Sequence, residues 1–331
     1  MRRAMISRVA DSVYWMSRYI ERAENVARFV DVNQYLTLDL QVDEELQWNP
    51  MLEVSGDRAA FEAQYGGSDQ ESVIRFLAFD SQNPNSILSS LRSARDNARS
   101  VREVISSEAW RQINKMYHMV RSAADSGKVF EDPHSFLDEV KEGCHQVTGV
   151  TEATMSHDEA WHFLRLGRML ERADKTSRLL DVKYFLLLPS MDYVGTPYDK
   201  IQWAAVLKSA SALEMYRKTY RRIDPKQIGR FLIFDNQFPR SIRFCLEAAS
   251  ISLHAISGSP LSTFDNKAER RLGRLCADID FSDIEEVSQT GMHQYLDGIQ
   301  IKLNRVGDAI FETYFSLAPA IVDGALHRGD S

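Results

Sequence analysis

Two stretches of this 331-residue chain are versions of one another, and that constrains its fold more than any other feature. Residues 18–32 read RYIERAENVARFVDV and residues 168–182 read RMLERADKTSRLLDV, identical at seven of fifteen positions. The shared residues include Arg18/Arg168, Glu21/Glu171, Arg22/Arg172, Arg28/Arg178 and Asp31/Asp181. A second pair, FLAFDSQNPNSI at 76–87 and FLIFDNQFPRSI at 231–242, agrees at eight of twelve. Ordinary composition gives roughly one match per fifteen positions. The offsets, 150 and 155 residues, keep the blocks in the same order, as a tandem duplication requires. The boundary falls near 149–156, so the reading is copy one at 1–150 and copy two at 151–331, with one shared core.

Both copies of the first block carry a helical period. Met16, Ile20, Ala23, Ala27 and Val30 form one apolar stripe, repeated by Leu166, Leu170, Ala173, Ser177 and Leu180. The opposite face holds Arg18, Glu21, Asn25 and Arg28, matched by Arg168, Glu171, Lys175 and Arg178. The second block reads as a helix end, a turn and a new helix. Pro84 and Pro239 stop the preceding helix, and Ser86 and Ser241 are placed to cap the next one. Helical patterns run on through 87–124, 198–222, 239–256 and 281–316, and no strand alternation stands out. The polar stretch 43–72 reads as a long loop or a pair of short helices. The fold class is all-α, a helical bundle of two tandem repeats related by a pseudo-twofold axis.

Composition narrows the function. Forty basic and 47 acidic side chains give a net charge of −7, and 44% of residues are apolar. Disordered chains carry less apolar content, and nucleic-acid binders favour a basic balance, so nucleic acid is an unfavoured partner. The three cysteines, Cys144, Cys245 and Cys276, are odd in number and far apart, which reads as reduced thiols in the cytoplasm. The basic start lacks an apolar signal core, and the longest apolar run, at 184–189, is too short for a membrane span. The Arg-Gly-Asp tripeptide at 328–330 reads as chance.

Three groups of residues could carry chemistry. The first is Arg18, Glu21, Arg22 and Arg28 with its copy Arg168, Glu171, Arg172 and Arg178. Arg18 and Glu21, at i and i+3, can touch on one helix face; Glu24 and Arg28 form a separate pair. Exposed pairs contribute only about 0–1 kcal/mol, which does not account for the same ions in both copies. Two readings are open: buried Arg–Glu pairs joining the copies, or Glu21 and Glu171 as acid/base groups in a cleft, with the arginines binding a polar substrate. The second group is an arginine stripe, Arg92, Arg95, Arg99 and Arg102, with Asn97 beside it. Residues 84–121 hold seven basic and three acidic side chains, and copy two replaces Arg95, Arg99 and Arg102 by Ser250, His254 and Ser257. Guanidinium forks match carboxylates and phosphates, so the stripe is a candidate anion site. The third is Phe79-Asp80 and Phe234-Asp235, read as helix-junction caps, with Glu108, Trp110 and Asn114 as candidate pocket residues. His157/His162 and Cys144-His145 have poor spacing for a metal, so no metal site is assigned, and no cofactor motif occurs.

These segments resemble a known family. The opening ISRVADSVYWMSRYIERAENVARFVDV, the turn FDSQNPNSI, the segment RSARDNARSVREVISSEAWRQIN and the second-copy FLRLGRMLERADKTSRLLDVKYF are similar to the alpha-E family of bacterial proteins. The likeness spans almost the whole chain, with family starts falling near Met5. It implies an all-helical protein named for its glutamates, for which Glu21 and Glu171 are the natural candidates. Members occur beside, or fused to, circularly permuted ATP-grasp proteins and transglutaminase-like peptidases. The resemblance therefore implies an ATP-grasp amide ligase and a transglutaminase-like peptidase as partners, and work on peptide or amide bonds. An acidic peptide or a phosphorylated intermediate is the ligand expected of such a helper; the alternative is an enzyme in its own right using Glu21 or Glu171.

Overall fold

The computed structural model describes residue 5 and residues 7–39, 44–185 and 196–316. Residues 1–4, most of the apolar run 184–189 and the tripeptide 328–330 lie outside them. All regular elements among the described residues are helical. They are α1 (Ser7–Asp39), α2 (Glu44–Ser55), α3 (Arg58–Glu62), α4 (Gln70–Ala78), α5 (Ile87–Ser100), α6 (Ser107–Ser126), α7 (Pro133–Thr154) and α8 (Glu159–Phe185). Then follow α9 (Pro197–Ser209), α10 (Leu213–Thr219), α11 (Pro225–Phe234), α12 (Ile242–Ser257), α13 (Lys267–Asp280), α14 (Ile284–Thr290) and α15 (Met292–Ile310). The polar stretch 43–72 resolves into short helices, α2 and α3, leading into α4.

Local chemistry sets the helix starts. Ser86 Oγ accepts from the Ser89 amide at 3.1 Å and Ser241 Oγ from that of Phe244 at 3.2 Å, so both serines cap as their positions require. Asp80 and Asp235 act one step earlier, each accepting the amide of the residue two positions on at 2.8 Å and folding the preceding turn. Asn266 and Glu269 form a reciprocal capping box at the start of α13.

Three of the long helical patterns are interrupted. The pattern at 87–124 breaks between Val101 and Ser106, where Ser106 Oγ caps a fresh helix. The pattern at 198–222 breaks at Ser211, which has φ +51°, and the one at 281–316 breaks at Gly291, with φ +106°. A residue held at positive φ leaves the right-handed helix, whatever the surrounding periodicity.

The longest helices, α1 and α8, cross at the centre. Around them, α5 and α7 pack on α1, and α12 and α15 on α8. Buried apolar side chains from Ala10 to Phe315 join in one cluster spanning both halves of the sequence. Gly167 permits the close central approach: a methyl there would sit 2.4 Å from the Tyr14 carbonyl oxygen and 2.6 Å from Ser17 Oγ. A side chain at this position would push the two helices apart.

Candidate functional site

Because α1 is covered on one side by α5 and α7 and on another by α8, its polar face is buried as well as its apolar one. Glu21, Glu24, Asn25, Arg28 and Asp31 are all buried. Buried charge is tolerable only when paired and hydrogen-bonded, and the crossing supplies the partners reciprocally. Arg18 Nε donates to Glu171 at 2.8 Å, and Arg22 Nε and Nη2 donate to the same carboxylate at 2.7 and 3.1 Å. In the other direction Arg172 holds Glu21 bidentately, at 2.8 and 2.7 Å. Arg18 therefore reaches across to Glu171 rather than to Glu21 on its own helix. Spacing on one helix says which residues can meet, and here a buried carboxylate on the facing helix takes the guanidinium. A matching pair of contacts, each within one half of the chain, lies toward the helix ends, where His134 Nδ1 meets Asp31 at 2.6 Å and His293 Nδ1 meets Asp181 at 2.6 Å.

Electrostatically the carboxylates are locked as anions. Burial alone would raise the pKa of Glu171, but Arg22 and Arg18 hold it below the ordinary carboxylate range. Burial opposes Glu21 and Glu24 in the same way, and Arg172 and Arg240 overcome it for the one, chiefly Arg240 for the other.

The two sides of the crossing then diverge. On the Glu21 side Arg240, at the start of α12, fills the space, donating to Glu21 at 3.0 Å and to Asn25 at 3.2 Å and pairing closely with Glu24. Glu24 also pairs with Arg28, which bonds Ser211, and His145 Nε2 lies 3.1 Å from Glu24. Arg168 turns away from this cluster to Glu152 on α7, so it does not repeat the contact of Arg18.

On the Glu171 side the position of Arg240 is taken by the shorter Asn85. It accepts from Arg22 Nη1 at 2.8 Å and donates to Asp57 at 2.7 Å. Here the surface opens into a cleft of about 570 Å³. One wall is cationic, formed by Arg18, Arg22, Lys175 and Arg178 above the buried Glu171, with Asp174 between them. The lining also includes Trp15, whose ring lies under the Arg18 guanidinium at 4.9 Å, and Phe311 and Phe315, with Leu303, Gly307 and Asp308 of α15. Residues 311–315 form a π-helical turn, closed by the Ser316 amide on the Phe311 carbonyl at 2.9 Å. Such turns re-aim side chains and recur at functional sites. Gly56, in the left-handed region at φ +82°, ends α2 beside Arg178.

The arginine stripe lies elsewhere. α5 ends at Ser100, so Arg102 sits in the following turn and not on the helix with Arg92, Arg95 and Arg99. Arg95 donates to Asn114 at 2.6 Å and lies over Tyr117; Arg102 lies over Trp110. Asn97 bonds back to the Ser93 carbonyl at 3.0 Å, and Arg99 is exposed. None of these residues lines the cleft. Glu108, Trp110 and Asn114 thus frame Arg95 and Arg102 or face solvent. Among the described residues no group of three metal-ligating side chains occurs, and no helix is long and apolar enough to cross a membrane.

Sequence reasoning overlooked Arg240, Lys175, Trp15, Phe311 and Phe315 as site residues. The available signal was the charge change between the similar segments, Asn85 against Arg240 and Asn25 against Lys175.

Comparison with known proteins places these features in a family. An uncharacterised protein of Mycobacterium bovis and one of Mycobacterium tuberculosis are each 25% identical over 332 aligned residues, covering 94% of this chain. The chain spans 37% of the length of those relatives. No solved structure matches it. The model of one family, described as a predicted alpha-helical domain with a conserved ER motif, matches residues 5–315. At the α1–α8 crossing the Glu-Arg dipeptides are Glu21-Arg22 and Glu171-Arg172, and each provides a buried carboxylate and the guanidinium that binds the other. This chain belongs to the Alpha-E family.

Proposed function

We propose that this chain is a helical substrate-holding protein, acting with an ATP-grasp amide ligase in peptide or amide-bond synthesis or modification in the cytoplasm. On this reading residues 1–150 and 151–331 are two copies of one unit related by a pseudo-twofold axis. The reciprocal Arg22–Glu171 and Arg172–Glu21 bonds and the paired Asp31–His134 and Asp181–His293 contacts support it.

The observation that carries the holding role is the cleft beside Glu171, where four cations meet aromatic side chains. An acidic peptide or a phosphorylated intermediate suits that lining, because guanidinium and ammonium groups recognise carboxylate and phosphate oxygens. The ligase and the transglutaminase-like peptidase come from the family's usual company and would supply the bond chemistry. The rival reading makes Glu21 or Glu171 an acid/base group. Both carboxylates are 1% exposed and have their oxygens occupied by guanidinium groups. A base in that state is tied up and out of substrate's reach, which favours a structural role for both.

The test is reconstitution with the ATP-grasp protein of the same host. The amide-forming rate should rise with this chain and fall back with Gly307→Trp, whose ring would occupy the cleft. A rate indifferent to the chain overturns the reading.

A further inference from the structure

Hydrogen bonding in the cleft is uneven. Arg18 gives Nε to Glu171 and Nη1 to the Tyr14 hydroxyl, and its Nη2 lies 2.8 Å from Glu171. Arg22 gives Nε and Nη2 to Glu171 and Nη1 to Asn85. These two arginines are committed to the fold. Arg178 is not. Its Nε donates to Asp174 at 2.9 Å, while neither Nη meets an acceptor among the described residues, and Nη1 borders Gly56. Lys175 is further from satisfaction. The residue is only 7% exposed, yet the closest carboxylate oxygen to its Nζ is Asp174 Oδ2, at 3.7 Å, beyond hydrogen-bond reach.

The side chain is mostly buried and its ammonium opens on the cleft without a carboxylate in hydrogen-bond reach; a neutral side chain would spare the fold that charge. The matching position of the similar segment has one, since Asn25 stands there and bonds Glu21 at 3.2 Å. On the Glu171 side the charge stays, in a cleft wide enough to admit a ligand. Four cations line it, against two lining carboxylates, Asp174 and the exposed Asp308; Glu171 and Asp57 lie behind the wall, bonded to Arg18, Arg22 and Asn85. The same cleft is lined by Trp15, which stacks on Arg18, and by Phe315 and Phe311, the last 54% exposed. An exposed phenylalanine beside a basic wall marks a site that takes both an anion and an apolar body.

We propose that Lys175 and Arg178 form the anion-binding subsite of the cleft, taking the terminal phosphate or carboxylate of a ligand whose aromatic or apolar body lies along Trp15, Phe311 and Phe315. This rests on the reading of the cleft as a ligand site and deepens it. Arg18 and Arg22 serve as the scaffold that holds Glu171 and shapes the wall. Lys175 and Arg178 contact the ligand. Burial, with Arg22 and Arg178 nearby, lowers the pKa of Lys175 against the pull of Asp174 and Glu171. An incoming anion restores the charged form, so binding takes up a proton at a pH where the free amine is partly neutral.

The test is titration calorimetry of the intact chain with phenyl phosphate, 3-phenylpropionate, inorganic phosphate and benzyl alcohol. One of the two aromatic anions should bind at least tenfold more tightly than both inorganic phosphate and benzyl alcohol. A preference for phenyl phosphate identifies a phosphorylated ligand, and one for 3-phenylpropionate a carboxylate. Lys175→Met and Arg178→Met should each weaken that binding at least tenfold, Lys175→Arg should retain most of it, and Gly307→Trp should remove it. In the wild type the heat at alkaline pH should vary with the ionisation heat of the buffer, and in Lys175→Met it should not. Aromatic anions that bind no better than benzyl alcohol, or variants that bind like the wild type, overturn the proposal. Binding without stimulation of the ligase would sink the accessory role alone; stimulation that survives Lys175→Met and Arg178→Met would sink the subsite alone.

Discussion

Replacing Glu171 by Gln tests whether the crossing is an ionic lock. The amide keeps the shape of the side chain but removes the one anion shared by Arg18 and Arg22, which are bound to it at 2.7–3.1 Å. The carboxylate is 1% exposed, so water cannot replace the lost charge. Removing one partner of a buried pair costs about 3–5 kcal/mol, because the remaining charge stays buried and uncompensated. At about 1.4 °C per kcal/mol for a chain of this size, the melting temperature at pH 7 should fall by about 4–7 °C. Glu62→Gln is the control. Its partner Arg58 is 45% exposed, and exposed pairs are worth about 0–1 kcal/mol. The sign with pH is also determined. Burial would raise the pKa of Glu171, but Arg22 and Arg18 depress it in the folded state. Its stabilising effect is thus fully present above the unfolded value of about 4.3 and is lost as pH falls toward the depressed folded value. The gap between wild type and Glu171→Gln should therefore be widest near neutrality and narrow on acidification below about pH 4. Calorimetric melting of the three proteins from about pH 3.5 to about pH 7.5 measures this across the window in which the unfolded carboxylate titrates. A Glu171→Gln protein that melts with the Glu62→Gln control would refute the lock.

Two glycines should respond with opposite signs. Gly167→Ala places a methyl 2.4 Å from the Tyr14 carbonyl oxygen, a backbone atom that no rotamer change can move, so the protein should lose at least about 1–3 kcal/mol. Gly307→Ala, inside α15 with nothing within 4 Å of the added methyl, should gain about 1 kcal/mol through helix propensity. Denaturant midpoints at constant slope measure both; a neutral Gly167→Ala would mean that the helices do not cross this closely. The thiols should be unreactive in the native state, Cys144 and Cys245 because they are buried and the half-buried Cys276 because its thiolate is disfavoured. Burial raises Cys144 and pushes Cys245 and Cys276 up to about 12. An aromatic disulfide reagent at about pH 8 should titrate them only after denaturation, and a fast-reacting native thiol would contradict that burial.

The helical class, the caps at Ser86 and Ser241 and the importance of Arg22, Glu171, Arg172 and Glu21 are legible in the sequence because each rests on local spacing or on the repeat. The partner of Arg18 is not, since i, i+3 spacing describes reach along one helix while the pairing is decided by a carboxylate on another. The breaks at Ser211 and Gly291 are hidden for a related reason: apolar periodicity continues across them, and only positive φ shows the interruption. The aromatic lining is the least legible part. Phe311 and Phe315 reach the cleft through a π-helical turn, which shifts the register that a 3.6-residue period assigns them.

The difference between the two sides of the crossing is more informative than their likeness. Each side has the same problem, a buried glutamate that needs guanidinium partners. On the Glu21 side Arg240 enters from the start of α12 and binds Glu21, Asn25 and Glu24. On the Glu171 side Arg18 and Arg22 already satisfy Glu171, and the neutral Asn85 bridges Arg22 and the buried Asp57. The shorter residue leaves space, and Lys175 adds charge to it rather than removing any. Filling the position of Asn85 with arginine is therefore an informative perturbation. The added guanidinium could take the bond to Asp57 but would replace the acceptor of Arg22 Nη1 by a like charge, a further cation beside the four already lining the cleft. An Asn85→Arg protein should thus be less stable at low salt and recover on adding phosphate, while Arg240→Asn should lose stability that phosphate does not restore. Melting both variants with and without phosphate, against chloride of equal ionic strength, separates them. Equal responses of the two to phosphate would show that the cleft is no more a home for an anion than the junction that Arg240 enters.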